Sequence, residues 1–296
     1  MTSPAIENLV QHFKGAEITL IGSFIATEVL KNHPKVINTY VLDKKFSSTY
    51  KILRGLGEFD LFFSFRSSLR AKFIKFFISA KRKYQYDKNV YKYKKMHQVE
   101  KYNNFVNNSL KINLIASKLV LHSERKKNKN RKNKLLGINP GGAYGSAKRW
   151  YPEKLAEVAI NLSSEFDIII FGGPEEIEIA NDIESYLIQN GVNNYQNLAA
   201  LINIQELVFQ ISDLDVYITG DSGPMHLAAA MQVPTVSIFG PTRYNETSQW
   251  MNKKSSIVKK NLECQPCMKR VCPLKHHDCM KLIEVSEVLE AVKKLN

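Results

Sequence analysis

Residues 219–242 read TGDSGPMHLAAAMQVPTVSIFGPT. The spacing predicts a strand over Asp215 to Thr219, a glycine turn over Gly220 to Gly223, a helix over 223–231 and a second apolar strand over Thr235 to Phe239. Asp221 or Ser222 is placed to cap that helix, and Pro224 in its first turn lacks only an N–H that would be unpaired anyway. A helix start beside a glycine turn offers free N–H groups and the positive end of a dipole, which suits an anion such as a pyrophosphate.

Outward from this stretch, strand and helix alternate along the chain. Further apolar strands are expected at Glu17–Gly22, Val36–Leu42, Asp60–Phe65, Leu135–Asn139 and Asp167–Phe171, with helical periods at 152–163, 176–189 and 203–211. Alternation of this kind predicts an α/β fold with parallel sheets covered by helices. The stretch 124–134 holds no apolar residue and reads as a linker, so the expected organisation is a domain over 1–123 and a second over 135–296.

At 296 residues and 44% hydrophobic, the chain has enough apolar residues for two cores. It holds no run of eighteen apolar residues and no basic-then-apolar leader, so a cytoplasmic location is expected. The net charge of +14 is lopsided. Residues 1–135 carry 28 Lys and Arg against 9 Asp and Glu, a balance of +19, and the remainder is at −5. A cationic half implies an anionic partner: nucleic acid, anionic lipid or a phosphorylated glycan. The aromatic-basic runs at 81–86 and 91–95 suit either base stacking or lipid headgroups.

Several constellations carry chemistry. Pro140 to Trp150 follow a strand as a glycine loop ending Ser146-Ala147-Lys148-Arg149-Trp150. The backbone of Gly141 and Gly142 can approach phosphate, and Lys148 can neutralise charge on a departing diphosphate; it equally reads as a surface lysine before a helix. Glu176, after the strand 167–171, can accept from a ribose diol or simply stabilise a helix start. Asp221, Ser222, Gly223 and His226 form the turn and helix start quoted above. Arg66, Ser68 and Arg70 follow one strand of the basic half, and His97 and Glu100 open a helix there. Cys264, Cys267, Cys272 and Cys279 are the only cysteines, spaced C-x2-C-x4-C-x6-C with His276 and His277 beside them. They read either as a zinc site or as an ordered thiol-containing loop, and a disulfide is not expected in a reducing compartment.

The 219–242 stretch, the 140–150 loop and the cysteine segment together resemble glycosyltransferase family 9, the bacterial heptosyltransferases, closest to its heptosyltransferase II branch. Phe65-Arg66-Ser67-Ser68-Leu69 and His97-Gln98-Val99-Glu100 resemble it more loosely. The resemblance implies a GT-B fold, two facing Rossmann-like domains with the site in the cleft. It implies transfer of heptose from ADP-heptose to a lipopolysaccharide inner-core heptose with inversion, without a metal or other cofactor, at the inner face of the cytoplasmic membrane. Lys148 would be catalytic; Gly141, Gly142, Ser146, Glu176, Asp221, Ser222, Gly223 and His226 would bind the donor; Arg66, Ser68, Arg70, His97 and Glu100 would bind the acceptor. It further implies that an opening strand and a loop bearing the base precede the helix at Met1–Glu7. The first domain is thus expected to be incomplete at its N-terminus, with no residue here inheriting the base's role and activity reduced. The alternatives are a nucleotide-sugar epimerase of the same architecture and a basic nucleic-acid-binding protein; no nucleic-acid motif supports the latter.

Overall fold

A computed structural model describes residues 1–92, 94–123, 131–141 and 145–295. The chain divides into two compact units, Met1–His122 and Ser123–Asn296.

Among the described residues the first unit holds four strands: β1 (Ile18–Gly22), β2 (Val36–Val41), β3 (Glu58–Ser64) and β4 (Ser79–Gln85). All pairing is parallel, as the alternation predicts, and it forms two separate ladders, β1 with β2 and β3 with β4. Every residue of β1 is half-buried, although its sequence ITLIG is that of an interior strand. Among the described residues it pairs along one edge only, with β2. The helix Ser3–His12 lies against the helix Gln98–Leu110, where Asn8 Nδ2 donates to Asn103 Oδ1 at 2.6 Å.

The second unit contains a six-stranded, all-parallel sheet in the order β10-β9-β8-β5-β6-β7. Its strands are β5 (Lys134–Asn139), β6 (Phe166–Ile170), β7 (Tyr195–Asn197), β8 (Val216–Gly220), β9 (Thr235–Phe239) and β10 (Ser255–Lys259). Leu136, Ile138, Ile168, Ile170, Val216, Ile218, Val236 and Ile238 are all essentially solvent-free in one core. Near-continuous apolar runs of this sort belong to parallel strands covered on both faces. Helices Pro152–Leu162, Ile177–Gln189 and Val285–Lys293 contribute to that core through Leu155, Val158, Ile183, Leu187, Val288 and Val292.

From β5 the chain winds outward through β6 and β7, then returns to the other side of β5 for β8, β9 and β10. The order therefore reverses between β5 and β8, which run side by side with Asn139 opposite Thr219. In open parallel sheets, ligands bind outside the carboxyl ends of the strands at such a reversal. Of the expected linker, 124–130 lies outside the described residues. Arg131 is fixed, donating to Asp213 Oδ2 and to the Asp213 carbonyl, both at 3.0 Å, and Lys134 already belongs to β5.

Candidate active site

Two loops leave the carboxyl ends of β5 and β8. After β5, Asn139 Oδ1 accepts the Gly141 N–H at 3.0 Å and closes a tight turn. Gly142 lies outside the described residues. The chain re-enters at Gly145, whose φ of +152° favours glycine and whose Cβ would stand 2.4 Å from the Arg270 carbonyl oxygen. A 3-10 turn over Ser146–Lys148 follows. It is braced from the cysteine segment: the Ala147 N–H donates to the Arg270 carbonyl at 3.0 Å, and His277 Nε2 lies 3.0 Å from the Ala147 carbonyl. The other ring nitrogen of His277 pairs with Tyr151 Oη at 3.2 Å.

After β8, Ser222 precedes the helix Gly223–Ala230. Neither expected cap is made. The Ser222 hydroxyl pairs with Thr219 Oγ1 at 3.0 Å, and the buried Asp221 carboxylate turns the other way to Lys148. Among the described residues the helix start thus has no side-chain cap, which leaves its leading N–H groups and dipole directed at whatever lies in front of them. Gly223 is exposed, and a Cβ there would meet nothing within 4 Å. His226 is half-buried one turn into the helix.

Lys148 joins the two loops. Its ammonium donates to Asp221 Oδ2 at 2.6 Å and to the Asp221 carbonyl at 3.0 Å, with both side chains largely buried. The backbones converge as well: a Cβ on Gly220 would lie 3.4 Å from the Lys148 carbonyl oxygen and 3.8 Å from that of Gly141. Glu176 enters from the end of β6. Its Oε2 accepts the Gly173 N–H at 2.7 Å, and its other oxygen stands where a Cβ on Gly141 would fall. The structure therefore brings Gly141, Lys148, Glu176, Asp221 and Ser222 to one end of the sheet.

Three residues at the same end were not singled out from the sequence. Asn139 and Thr219 shape the two turns, as described. Thr242, just beyond β9, is buried with no hydrogen-bond partner for its hydroxyl among the described residues. Their common signal was position: each lies at or just past the carboxyl end of an apolar strand.

The residues expected on the acceptor side lie in the first unit and are engaged in holding their own elements. Ser68 Oγ accepts the Ala71 N–H at 3.3 Å and caps the helix Leu69–Phe77. Arg70 donates to Thr49 Oγ1 at 2.7 Å and to the Asp43 carbonyl. His97 and Glu100 form a reciprocal helix cap, His97 Nδ1 accepting the Val99 N–H and Glu100 Oε2 accepting the His97 N–H. Arg66 is exposed just after β3.

The aromatic-basic run at 81–86 corrects one expectation. It is strand β4 and its exit, with Tyr84 stacked on Phe63 at 5.0 Å and Tyr86 stacked on Tyr91 at 5.4 Å. Rings packed inward in this way are not a platform for bases. Tyr93, in the second run, lies outside the described residues. The four cysteines are free thiols around one small cavity that Ala147 also lines. Burial first, then the neighbouring thiols, push Cys279 up to about 11.

Known proteins resemble this chain in sequence and in fold. The model of glycosyltransferase family 9 (heptosyltransferase) matches residues 57–277. The chain is 42% identical over 305 residues to lipooligosaccharide heptosyltransferase 2 of Campylobacter jejuni subsp. jejuni serotype O:2, covering all of this chain and 93% of that protein. Among solved structures, the ADP-heptose LPS heptosyltransferase II of E. coli superposes with a TM-score of 0.79 at 18% identity, over 99% of this chain and 93% of that one. An E. coli heptosyltransferase with ADP gives 0.77 at 13% identity, over 100% and 95%.

Proposed function

This chain belongs to glycosyltransferase family 9, the heptosyltransferases, and from that premise we propose that it transfers heptose from ADP-heptose onto a heptose of the lipopolysaccharide or lipooligosaccharide inner core. One observation carries the donor assignment. Lys148 and the uncapped start of the helix Gly223–Ala230 meet at the carboxyl ends of β5 and β8, where the sheet order reverses.

A nucleoside diphosphate seated there has its pyrophosphate against the helix N–H groups and beside the ammonium. As the bond between the anomeric carbon and the diphosphate breaks, negative charge grows on the departing ADP. Lys148, already positioned by Asp221, and the helix dipole stabilise that charge without having to reorganise. These two supply the positive field that a divalent cation would otherwise bring, which supports metal-independent transfer. The acceptor hydroxyl attacks from the opposite face of the sugar, giving inversion, and its proton passes to a base. Glu176, buried against the Gly141 backbone, is the carboxylate placed for the ribose diol. The basic first unit supports contact with phosphorylated inner core and with the anionic inner face of the cytoplasmic membrane. Among the described residues no helix is long and apolar enough to cross a membrane.

The test is direct. Incubation with ADP-heptose and a core oligosaccharide bearing one inner-core heptose should give a product heavier by one heptose, with release of ADP. Hydrolysis of the donor without any gain in acceptor mass, or epimerisation of the sugar, would overturn the proposal.

A further inference from the structure

We infer that the outward side of the helices Phe46–Arg54 and Leu69–Phe77 is the face this protein lays on an anionic lipid bilayer. An aromatic ridge enters the headgroup region, and the cations around it rest on lipid phosphates. This face localises the membrane contact proposed above and rests on that reading for its purpose only.

The two helices are held to the first unit by small or inward residues. Thr49 and Leu53 of one and Ala71 of the other are buried. The bulkiest side chains stand elsewhere. Phe46 is 50% exposed, Phe76 77% and Leu69 81%, and Tyr50 and Phe77 are exposed too. Leu69, Phe73, Phe76 and Phe77 recur at offsets of four, seven and eight residues, which puts them on one side of their helix. Phe46 and Tyr50 are likewise one turn apart. The helices meet through these rings. Phe46 lies 5.0 Å from Phe73 and Tyr50 5.0 Å from Phe77, with Phe76 a further 4.9 Å from Phe77. Scattered apolar side chains on a surface are ordinary, but a contiguous exposed patch marks something that binds there.

The charge around the ridge has one sign. Residues 44–56 hold four Lys and Arg, residues 66–78 hold four more, and neither stretch contains Asp or Glu. Lys44, Lys45, Lys51, Arg54 and Lys72 are exposed. Arg70 is turned inward instead, donating to Thr49 Oγ1 at 2.7 Å and tying one helix to the other. Rings suit the apolar boundary of a bilayer, and long cationic stems keep their charged ends at phosphate depth. A protein partner needs acids matched in position to these cations. A run of cations without an acid suits a surface whose negative charge is continuous. Nucleic acid offers such charge as well, but its bases stack on open ring faces. Here the ring pairs across the helices stand edge to face, at 84° and 83°, so one ring's edge covers the other's face.

The ridge also begins where the acceptor is expected. Leu69 directly follows Ser68, and Arg66 stands three residues before it. A lipid-linked saccharide reaching that loop would keep its acyl chains in the bilayer against which the ridge rests.

The experiment is flotation of the full chain with vesicles of phosphatidylethanolamine and phosphatidylglycerol, against vesicles of phosphatidylcholine alone. Binding to the anionic vesicles and little to the neutral ones is expected. Phe76→Ser should weaken binding about 10-fold, the worth of partly burying one large apolar side chain, with an unchanged thermal midpoint because the ring is exposed. Lys72→Gln with Lys75→Gln should weaken it about 5-fold for each cation removed. Phe76→Trp should shift its emission to the blue on anionic vesicles and be quenched by lipids brominated in the acyl chain. Binding by Phe76→Ser equal to that of the parent chain, or no quenching of Phe76→Trp, would overturn the inference. So would a solution dimer that Phe76→Ser converts to monomer, since a second copy would then cover the face, or RNA that displaces the vesicles and quenches Phe76→Trp itself. Transfer to a soluble core oligosaccharide should be the same for Phe76→Ser and the parent. If vesicles are bound through this face but no heptose is ever transferred, the proposed function fails and the docking face stands. If transfer proceeds and the vesicles are ignored, the docking face fails and the proposed function stands.

Discussion

The Lys148 ammonium sits 2.6 Å from the Asp221 carboxylate and 3.0 Å from the carbonyl of the same residue, although the two residues are 73 positions apart. The pair fixes where the positive charge stands and offsets part of it. A diphosphate arriving at the helix start would share the lysine with Asp221, which holds the ammonium in place while charge grows on the leaving group.

Lys148→Ala should lower transfer by about 10²–10³-fold, the usual loss when one positioned electrostatic group is removed. Turnover measured at saturating ADP-heptose is the check. Asp221→Asn separates position from charge: ADP should bind more tightly in calorimetry while turnover falls, because the lysine is less offset and less well held.

Gly223→Ala and Gly145→Ala make a matched pair. A methyl at 223 meets nothing within 4 Å, so the thermal midpoint should not change. If a pyrophosphate seats against that helix start, ADP affinity should nonetheless fall. A methyl at 145 runs into the Arg270 carbonyl at a φ that alanine resists, at a cost of about 1–3 kcal/mol, so melting and ADP binding should suffer together. Unchanged ADP binding in Gly223→Ala would move the diphosphate away from the helix.

The first unit should lose stability in mild acid. Burial of His33 lowers its pKa below the ordinary histidine range, with Glu7 opposing that shift and His122 adding to it. The unfolded chain then binds more protons than the folded one as pH falls through the usual histidine range toward the lowered value, so stability drops across that window and is full above it. Thermal melts against pH should show the slope. His33→Asn, which keeps an acceptor for the Lys35 N–H, should flatten it.

Salt should separate the two kinds of binding. Exposed charges are screened within about 10 Å at 0.1 M salt. Binding to anionic vesicles should weaken steeply as salt rises, while ADP binding beside the largely buried Lys148 changes less. Equal responses would remove the basic first unit from membrane contact.

Strands built from largely apolar runs, such as Ile168 to Ile170 and Thr235 to Phe239, were legible because burial on both faces favours that composition. Strand β4 was not, since Lys81, Arg82 and Lys83 disguise a strand in which Tyr84 packs on Phe63, and β7 is only three residues long. The turn after β8 was legible as a turn, yet its hydrogen bonds were not. A cap follows from local sequence only when nothing distant competes for the side chain, and here Lys148 claims Asp221 while Thr219 claims Ser222.

The two short ladders of the first unit have a consequence for how the chain breathes. Each strand of a two-stranded ladder keeps one edge of backbone groups unpaired by the sheet, and such ladders are marginal by themselves. The six-stranded unit loses hydrogen bonds only by breaking a continuous core. Opening should therefore begin at residues 18–22 and 58–64, well below the free energy of global unfolding. Amide exchange should be fast there and slow across β5, β8 and β9. Limited proteolysis should yield a resistant fragment beginning near Ser123, and the exposed ladder edges are where self-association would start on warming.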